Sequence, residues 1–340
     1  MKKTTRSGNE GTGTAVLGID VSKETLDLCL IVTGREEALT ATVANTQKGF
    51  ERLLGWLAAA CPGLPPAAVH ACLESTGRYS EPAATALHGA GLTVSVLDPT
   101  RIHYYRRLQL QRHKTDRLDA RLIAEYCLKE HPRPWEPSAP AILLLRALVR
   151  RRAQIGDDLR RERLRLESAL PQLHGEIRRS VRRLEKALGE AEQRIRRHIA
   201  ASGEGEGSLA GNLELLLTIP GVGEITAWQM LAEIDPSHFR TARQVAKFAG
   251  LNPAISRSGT SLDSSCLSRR GNARLRTALY LPAITAMRFN PVLRSFAGEL
   301  EKRGKKKKQI IVAVMRKLLH IMFGVLKTNT TFNPELVSCS

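Results

Sequence analysis

The sequence predicts an α/β N-terminal domain, a charged helical segment in the middle and a mainly α-helical C-terminal domain. Short apolar runs rich in β-branched residues alternate with amphipathic stretches over residues 15–140, as in layered α/β domains. Leucines then recur at heptad-like spacing among Arg and Glu residues over 141–200. Helical patterns continue over 213–330, after a glycine-rich stretch.

Composition changes divide the chain of 340 residues into six predicted segments. Such a length is enough for several hydrophobic cores. The basic N-terminal stretch lacks the apolar region of a signal peptide, so we expect a disordered lead-in there. The segments are the lead-in 1–14, the α/β domain 15–140, the helical coiled-coil arm 141–200, the linker 201–212, the C-terminal domain 213–330 and the tail 331–340.

Five strands and two helices are predicted in the first hundred residues. Short turns separate the first three strands, which favours an antiparallel meander. The later strands alternate with helices, which favours a mixed sheet. The strands are expected at 15–22, 25–32, 38–45, 68–75 and 92–99, and the helices at 47–60 and 80–91.

The middle segment predicts a long helical hairpin or a coiled coil. Its apolar residues recur at spacings of four, three, four, seven and four, and Pro171 would break or kink the helix. The alternative is an ordinary helical arm, which differs in whether it self-associates. The apolar seam consists of Leu166, Leu170, Leu173, Ile177, Leu184 and Leu188.

The C-terminal domain begins with a predicted helix, tight turn and helix over 213–234. In the turn "IPGVG", Gly221 and Gly223 would let backbone N–H groups approach a phosphate. A glycine turn between packed helices has the same sequence, so this alternative stays open. The most apolar helix is predicted over 310–326.

The net charge of +19 lies mainly in two blocks. Residues 145–200 carry 16 basic and eight acidic residues, and residues 240–330 carry 19 basic and three acidic residues. This pattern predicts phosphate-backbone binding, with a solubilising surface as the alternative. Because no run of about 18 apolar residues occurs, we expect no membrane partner.

Arginines in two regions are predicted to contact nucleic acid. Aromatic residues make up only 4% of the chain, so a base-stacking platform is not expected, although Tyr104 and Tyr105 lie among arginines. Those two tyrosines could equally pack against the sheet. The predicted contacts are Arg106, Arg107, Arg257, Arg269, Arg270, Arg274 and Arg276.

The six cysteines are scattered, with no CxxC pair and no histidine cluster beside them. This spacing argues against a zinc site. A reduced, intracellular protein is the prediction.

Four carboxylates are expected to converge on one site. Asp20 and Glu74 end predicted strands, where α/β sheets place ligands. Asp116 and Asp119 lie three residues apart at the start of a predicted helix, hence on one face. Oxygen-rich sites suit Mg²⁺ or Mn²⁺, and two such ions would clamp a phosphodiester. Helix or turn capping is the alternative for each acid.

Several blocks resemble the insertion-sequence transposases known as bridge-RNA-guided recombinases. The N-terminal blocks are "GIDVSKETLDL", "LESTGRYSEPAATAL" and "HKTDRLDARLIAEY". The C-terminal blocks are "LLLTIPGVGEITAWQMLAEI", "FAGLNPAISRSGTS", "LSRRGNARLRTALY" and "RGKKKKQIIVAVMRKLLHIM". The resemblance implies a RuvC-like, ribonuclease-H-type N-terminal domain whose four DEDD positions are filled by Asp20, Glu74, Asp116 and Asp119.

The resemblance also implies a serine nucleophile in the C-terminal domain. Ser258, in "RSGT", best matches the family's Ser-Gly motif, and Ser256 and Ser261 are rivals. Arg257, Arg269 and Arg270 could neutralise developing charge. Without the resemblance, a serine- and glycine-rich surface loop would be the alternative.

The function expected from residues and resemblance together is an RNA-guided DNA transposase that works by metal-assisted transesterification. Its expected partners are the DNA of the element ends and target, a guide RNA, and further copies of the chain in a dimer or tetramer. Its expected location is the cytoplasm, at the prokaryotic nucleoid. The alternatives are a hydrolytic nuclease of the Holliday-junction-resolvase type and a non-catalytic nucleic-acid-binding protein. Whether the acids and the serine meet in cis or in trans stays open.

Overall fold

The computed structural model describes residues 14–109, 116–203, 205, 207–258, 262–268 and 270–335. Within these ranges the side chains of Arg78, Asp116, Arg117 and residues 254–258 and 262–266 lie outside the description. The chain divides into two compact units, Met1–Pro137 and Ser138–Ser340.

Unit 1 is built on a five-stranded mixed sheet, as predicted. The first three strands form an antiparallel meander, and the fourth and fifth strands add parallel to the first, giving the order β3-β2-β1-β4-β5. The strands are β1 (Ala15–Val21), β2 (Thr25–Val32), β3 (Leu39–Ala44), β4 (Val69–Glu74) and β5 (Thr93–Leu97).

Helices cover both faces of this sheet because its strands alternate apolar side chains between two cores. Leu26, Leu28 and Leu30 share one core with residues of α1 (Gln47–Ala60) and α2 (Ser80–Gly89). The other core contains Cys29 and residues of α3 (Pro99–Leu108) and α4 (Asp116–Glu130). The opposite face of the sheet thus receives α4, the helix that carries two of the predicted acids.

Unit 2 is mainly helical and also contains a two-stranded antiparallel hairpin that the sequence did not predict. The strands are β6 (Pro253–Ser258) and β7 (Leu262–Leu267). The helices are α5 (Pro140–Ser168), α6 (His174–Ala200), α7 (Leu209–Leu217), α8 (Glu224–Glu233), α9 (Ala242–Phe248), α10 (Ala273–Ala278), α11 (Tyr280–Phe289), α12 (Pro291–Lys302) and α13 (Lys307–Thr328).

The arm is a helical hairpin that turns at Pro171. Ion pairs join its two helices, Arg152 to Glu192 at 2.8 Å and Arg163 to Glu185 at 2.7 Å. The predicted apolar seam does not follow one helix, because the chain leaves α5 before Pro171 and reverses. Leu170 and Leu173 therefore lie in the turn, where they are 68% and 48% exposed.

Among the described residues, helix α13 is the one helix long and apolar enough to cross a membrane by length and composition. Contrary to the sequence prediction, it is not the most apolar helix, because the shorter α7, α8 and α11 have a higher share of apolar residues. In unit 2 it packs as a core helix, since residues such as Val314, Leu318 and Met322 are 0% exposed. They share one hydrophobic core with Leu145 of α5 and Ile195 of α6.

Candidate active site

Asp20 and Glu74 lie at the carboxyl ends of two neighbouring parallel strands. Gly18 of β1 pairs with Cys72 of β4, and Ile19 pairs with Leu73, so Asp20 and Glu74 come next on their strands. Because side chains alternate along a strand, each acid shares a face with the residue two positions earlier. Both acids are half-buried. This is the strand-end location that the sequence predicted.

Gly18 lets α4 pack directly against that face of the sheet. A Cβ atom added at Gly18 would lie 2.1 Å from the carbonyl oxygen of Ala120 and 2.4 Å from the backbone nitrogen of Ala124. Only a residue without a side chain permits this approach. Helix α4 therefore crosses β1 two residues before Asp20, and it carries Asp119 beside Ala120.

Asp119 is buried, with 8% exposure, and the structure pairs it with an arginine. Arg106 Nη2 of α3 lies 2.6 Å from Asp119 Oδ1. Asp116 begins α4, but its side chain is outside the description. Among the side chains that are described, Asp20, Glu74 and Asp119 do not form a group of three with all ligand oxygens within 4.8 Å of one another.

Two residues predicted to contact nucleic acid have different surroundings. Arg106 forms an ion pair with Asp119, so its guanidinium is part of the candidate site, whereas Arg107 is exposed.

The two tyrosines among these arginines also differ. Tyr105 packs edge-on against Tyr126 at a centroid distance of 5.3 Å, as in the packing alternative, while Tyr104 is 47% exposed.

Asp27 is an acid near the site that the sequence analysis missed. In the β1–β2 register, Asp27 lies directly opposite Asp20. Opposed residues of an antiparallel pair point to the same face, and two like charges there repel each other. The Asp27 carboxylate accepts a hydrogen bond of 2.6 Å from Thr42 Oγ1. The register of the predicted hairpin could have revealed this pair.

The predicted nucleophile lies in the hairpin of unit 2. Ser258 is the last residue of β6 and pairs with Leu262, the first residue of β7. Ser256 and Arg257 belong to the same strand. Ser261 and Arg269 lie outside the described residues.

The backbone of the basic segment after the β6–β7 hairpin packs closely against the chain at Phe248. Gly271 has φ +130, and a Cβ atom there would lie 2.2 Å from the carbonyl oxygen of Phe248. Arg270 and Arg274 are exposed. Arg276 instead donates to the carbonyl oxygen of Ala249 at 3.0 Å, so it supports the fold.

Glu233 of α8 ties this segment to the arm. Asn272 Nδ2 donates to Glu233 Oε2 at 2.7 Å, and Asn272 Oδ1 accepts from the backbone nitrogen of Leu275 to cap α10. Arg150 of α5 donates to the same carboxylate, with Nη2 3.1 Å from Oε1. The Glu233 side chain is only 4% exposed, so these partners satisfy a buried charge.

Helix packing accounts for one of the two glycines in the predicted phosphate-binding turn. Gly221 has φ +96, and a Cβ atom there would lie 2.7 Å from Cα of Ala286 in α11. Gly223 precedes α8, and a Cβ atom there would meet no atom within 4 Å. Gly221 is thus needed for close helix packing, the alternative that the sequence left open.

Two of the cysteines are paired in the structure, although the sequence predicted a reduced protein. Cys72 of β4 and Cys127 of α4 form a disulfide, and His70 lies two residues before Cys72 on the same strand face. Cys29 and Cys61 are free and buried. The sequence did not predict this pairing because 55 residues separate the two cysteines.

Two family matches cover most of the chain. Residues 17–175 match a DEDD family of IS110 described as "Transposase". Residues 213–297 match the family described as "Transposase IS116/IS110/IS902 family".

Curated relatives match over the full length or over part of it. The "Pilin gene-inverting protein" of Moraxella bovis is 34% identical over 323 residues, covering 94% of this chain and 98% of the relative. A protein of the same name from Moraxella lacunata matches with the same identity and coverage. The "Insertion element IS110 uncharacterized 43.6 kDa protein" of Streptomyces coelicolor is 32% identical over 123 residues, 36% of this chain and 30% of the relative.

Proposed function

Since the chain belongs to the IS116/IS110/IS902 family of transposases, we propose that it cuts and rejoins the DNA of an insertion sequence. One observation carries this proposal. Asp20 and Glu74 lie at the carboxyl ends of neighbouring parallel strands, where α/β sheets bind ligands, and α4 brings Asp119 to that sheet. The name of the Moraxella relatives, pilin gene-inverting protein, is in keeping with DNA rearrangement.

Asp20, Glu74, Asp116 and Asp119 are the residues that would hold Mg²⁺ or Mn²⁺. These four acids offer only carboxylate oxygens, the ligands that both ions prefer. The buried Asp119 also forms an ion pair with Arg106, as expected where several carboxylates attract positive charge. When bound, the ions would polarise the phosphate under attack.

The chain's own contribution at this site is to hold the acids on rigid elements. Strand ends and a helix fix carboxylates more firmly than loops do. Arg106 orients the Asp119 carboxylate through an ion pair of 2.6 Å.

Ser258 supplies the nucleophile in this proposal, with Ser256 and Ser261 as alternatives. Its Oγ attacks a phosphorus of the DNA strand, and the bond from that phosphorus to a deoxyribose oxygen breaks. The released oxygen takes up the proton that the serine loses. A hydroxyl of another DNA end then displaces the serine. Because each step exchanges one phosphodiester for another, rejoining needs no external energy source.

The basic surface supports nucleic-acid partners, DNA and a guide RNA. Of the residues predicted for this role, Arg270 and Arg274 are exposed in unit 2 and Arg107 in unit 1. We assign these three to phosphate contacts, which depend on charge rather than on base sequence. Arg106 and Arg276 are half-buried and bond to Asp119 and to the backbone at Ala249, so we assign them to positioning.

Ser258→Ala is expected to leave folding and DNA binding unchanged and to remove strand exchange. Wild-type protein incubated with a nicked suicide substrate should yield a covalent protein–DNA adduct, and peptide mapping should place it on residue 258. Ser237→Ala is a matched control, because Ser237 is a serine of unit 2 bonded within its own turn to Asp235.

Two outcomes would change the serine assignment. An adduct on Ser256 or Ser261 keeps the mechanism but corrects the residue. Full recombination by Ser258→Ala, together with no adduct in the wild type, would favour the hydrolytic nuclease, in which water attacks the phosphate.

Self-association through the arm is proposed from the exposed leucines of its turn. Leu170→Asp combined with Leu173→Asp should convert an oligomer to monomers without unfolding, since both side chains are largely exposed. Multi-angle light scattering with and without nucleic acid measures the mass. Leu144→Asp, at a side chain 50% exposed near the start of α5, is the control. A double variant with the oligomeric mass of the wild type would show that the turn is not the contact.

A further inference from the structure

Two buried cysteines join the strand and the helix that carry acids of the candidate site. Cys72 of β4 and Cys127 of α4 form a disulfide, with their Cα atoms 6.2 Å apart. This Cα separation lies within the range usual for disulfides, so the packing of the two elements accommodates the bond. Both side chains are 0% exposed.

The bond lies close to the acids along both elements. Cys72 precedes Glu74 by two residues and shares its face of β4, because side chains alternate along a strand. Cys127 follows Asp119 by about two turns of α4. A covalent bond here restrains the strand that ends in Glu74 relative to the helix that carries Asp119.

We propose that Cys72 and Cys127 form a reversible covalent clamp, closed by a small-molecule disulfide of the glutathione type and opened by a small-molecule thiol. Closure holds α4 on β4. The effect of the clamp on DNA cleavage rests on the proposed function, whereas its effect on the stability of unit 1 does not.

Closure is a pair of thiol–disulfide exchanges. The thiolate of one cysteine attacks a sulfur of the reagent, which releases the first reagent thiol and leaves a mixed disulfide. The second cysteine attacks the cysteine sulfur of that mixed disulfide and releases the other reagent thiol. The two cysteines lose two electrons in total, and their two protons leave on the two released thiols.

Burial sets the conditions under which the clamp reacts. With both sulfurs inaccessible, exchange requires α4 to lift from the sheet by local unfolding. Opening by a thiol should therefore be slow in buffer and much faster in denaturant. In a reducing cytoplasm the open form is expected unless the clamp closes during folding.

The same cysteines with His70 also have the composition of a Cys₂His metal site. One ligand atom from each of the three residues lies within 4.8 Å of the others. Nε2 of His70 lies 2.8 Å from Ser95 Oγ, so Nδ1 is the nitrogen left to bind a metal, and a zinc measurement distinguishes a metal site from the clamp. That hydroxyl donates to backbone carbonyl oxygens of Pro132 and Arg133, so the imidazole nitrogen donates to Ser95. Burial lowers the pKa of His70, which favours this neutral form.

The clamp is tested on the full chain in two redox states. Protein refolded in oxidised glutathione and protein held in a phosphine reductant are compared by peptide mapping without reduction and by thermal unfolding. We expect a peptide that joins residues 72 and 127, and a melting temperature about 5 to 15 °C higher in the oxidised state. Cys72→Ala and Cys127→Ala should each abolish this difference. Cys29→Ala should preserve it, because Cys29 is buried in the same core but free.

Three results would overturn the clamp. These are the absence of the joined peptide, a temperature difference that persists in Cys72→Ala, or stoichiometric zinc in the reduced protein whose removal by a chelator lowers the melting temperature. The last result would identify a metal site instead. None of these measurements uses DNA, so their failure would overturn the clamp alone, whereas a protein that cleaves no DNA in either redox state would contradict the proposed function alone.

Discussion

Asp119→Asn is expected to lower the rate of DNA strand cleavage by at least about 1000-fold, or about 4 kcal/mol in activation free energy. The asparagine keeps the shape of the side chain and an oxygen that can accept from Arg106, but it loses the negative charge that a divalent cation needs. Asp20→Asn, Glu74→Gln and Asp116→Asn should have the same effect. Cleavage of a labelled substrate measures the rate, and gel-shift titration shows that DNA binding remains.

The control for the acid variants is Glu125→Gln on the same helix. Glu125 forms an ion pair with Arg121 at 3.0 Å, and the Arg121 side chain is 62% exposed. Glu125→Gln removes a carboxylate from α4 but leaves the four predicted metal-binding acids in place, so cleavage should be nearly normal. Near-normal recombination by two or more of the four acid variants would refute the metal-site assignment.

Gly18→Ala is expected to destabilise unit 1 by about 3 kcal/mol or more, because the new methyl group has no room. The atoms it would meet, 2.1 and 2.4 Å away, belong to the backbone of α4 and cannot turn aside as a flexible side chain could. Either α4 moves outward, taking Asp119 with it, or the unit fails to close. Urea unfolding followed by circular dichroism measures the loss.

Gly55→Ala is the matched control for Gly18→Ala. Gly55 lies in α1, where an added Cβ atom meets nothing within 4 Å. Alanine there should be neutral or slightly stabilising, since it favours helix. An unfolding midpoint for Gly18→Ala equal to that of the wild type would mean that α4 does not pack on β1 at this distance.

Local sequence patterns were sufficient to predict most of unit 1. Alternation and helical periodicity predict the strand that contains Asp20, the strand that ends at Glu74 and the helix that starts at Asp116. These patterns are set by burial of side chains close together in the chain. The prediction that Asp20 and Glu74 lie at the ends of strands was correct for the same reason, whereas the structure alone shows that the two strands are neighbours.

Contacts between distant residues could not be predicted in this way. Neither the ion pair between Arg106 and Asp119 nor the disulfide of Cys72 and Cys127 has a local signature.

The amino-acid composition also failed to indicate the β6–β7 hairpin of unit 2. Strands β6 and β7 are rich in serine and short of β-branched residues, so they resembled a loop. A serine- and glycine-rich surface loop was the alternative considered for this segment, whereas Ser258 ends a strand.

The glycine-rich stretch 201–208 is a natural place for a protease to cut, as small residues often are. Yet Ile195 and Ile199, before it, share one hydrophobic core with Leu209 and Leu216, after it. Arg150 and Glu233, on either side, are also held together by hydrogen bonds. A nick in this stretch would therefore leave two fragments that migrate apart in denaturing gels but stay associated in native buffer.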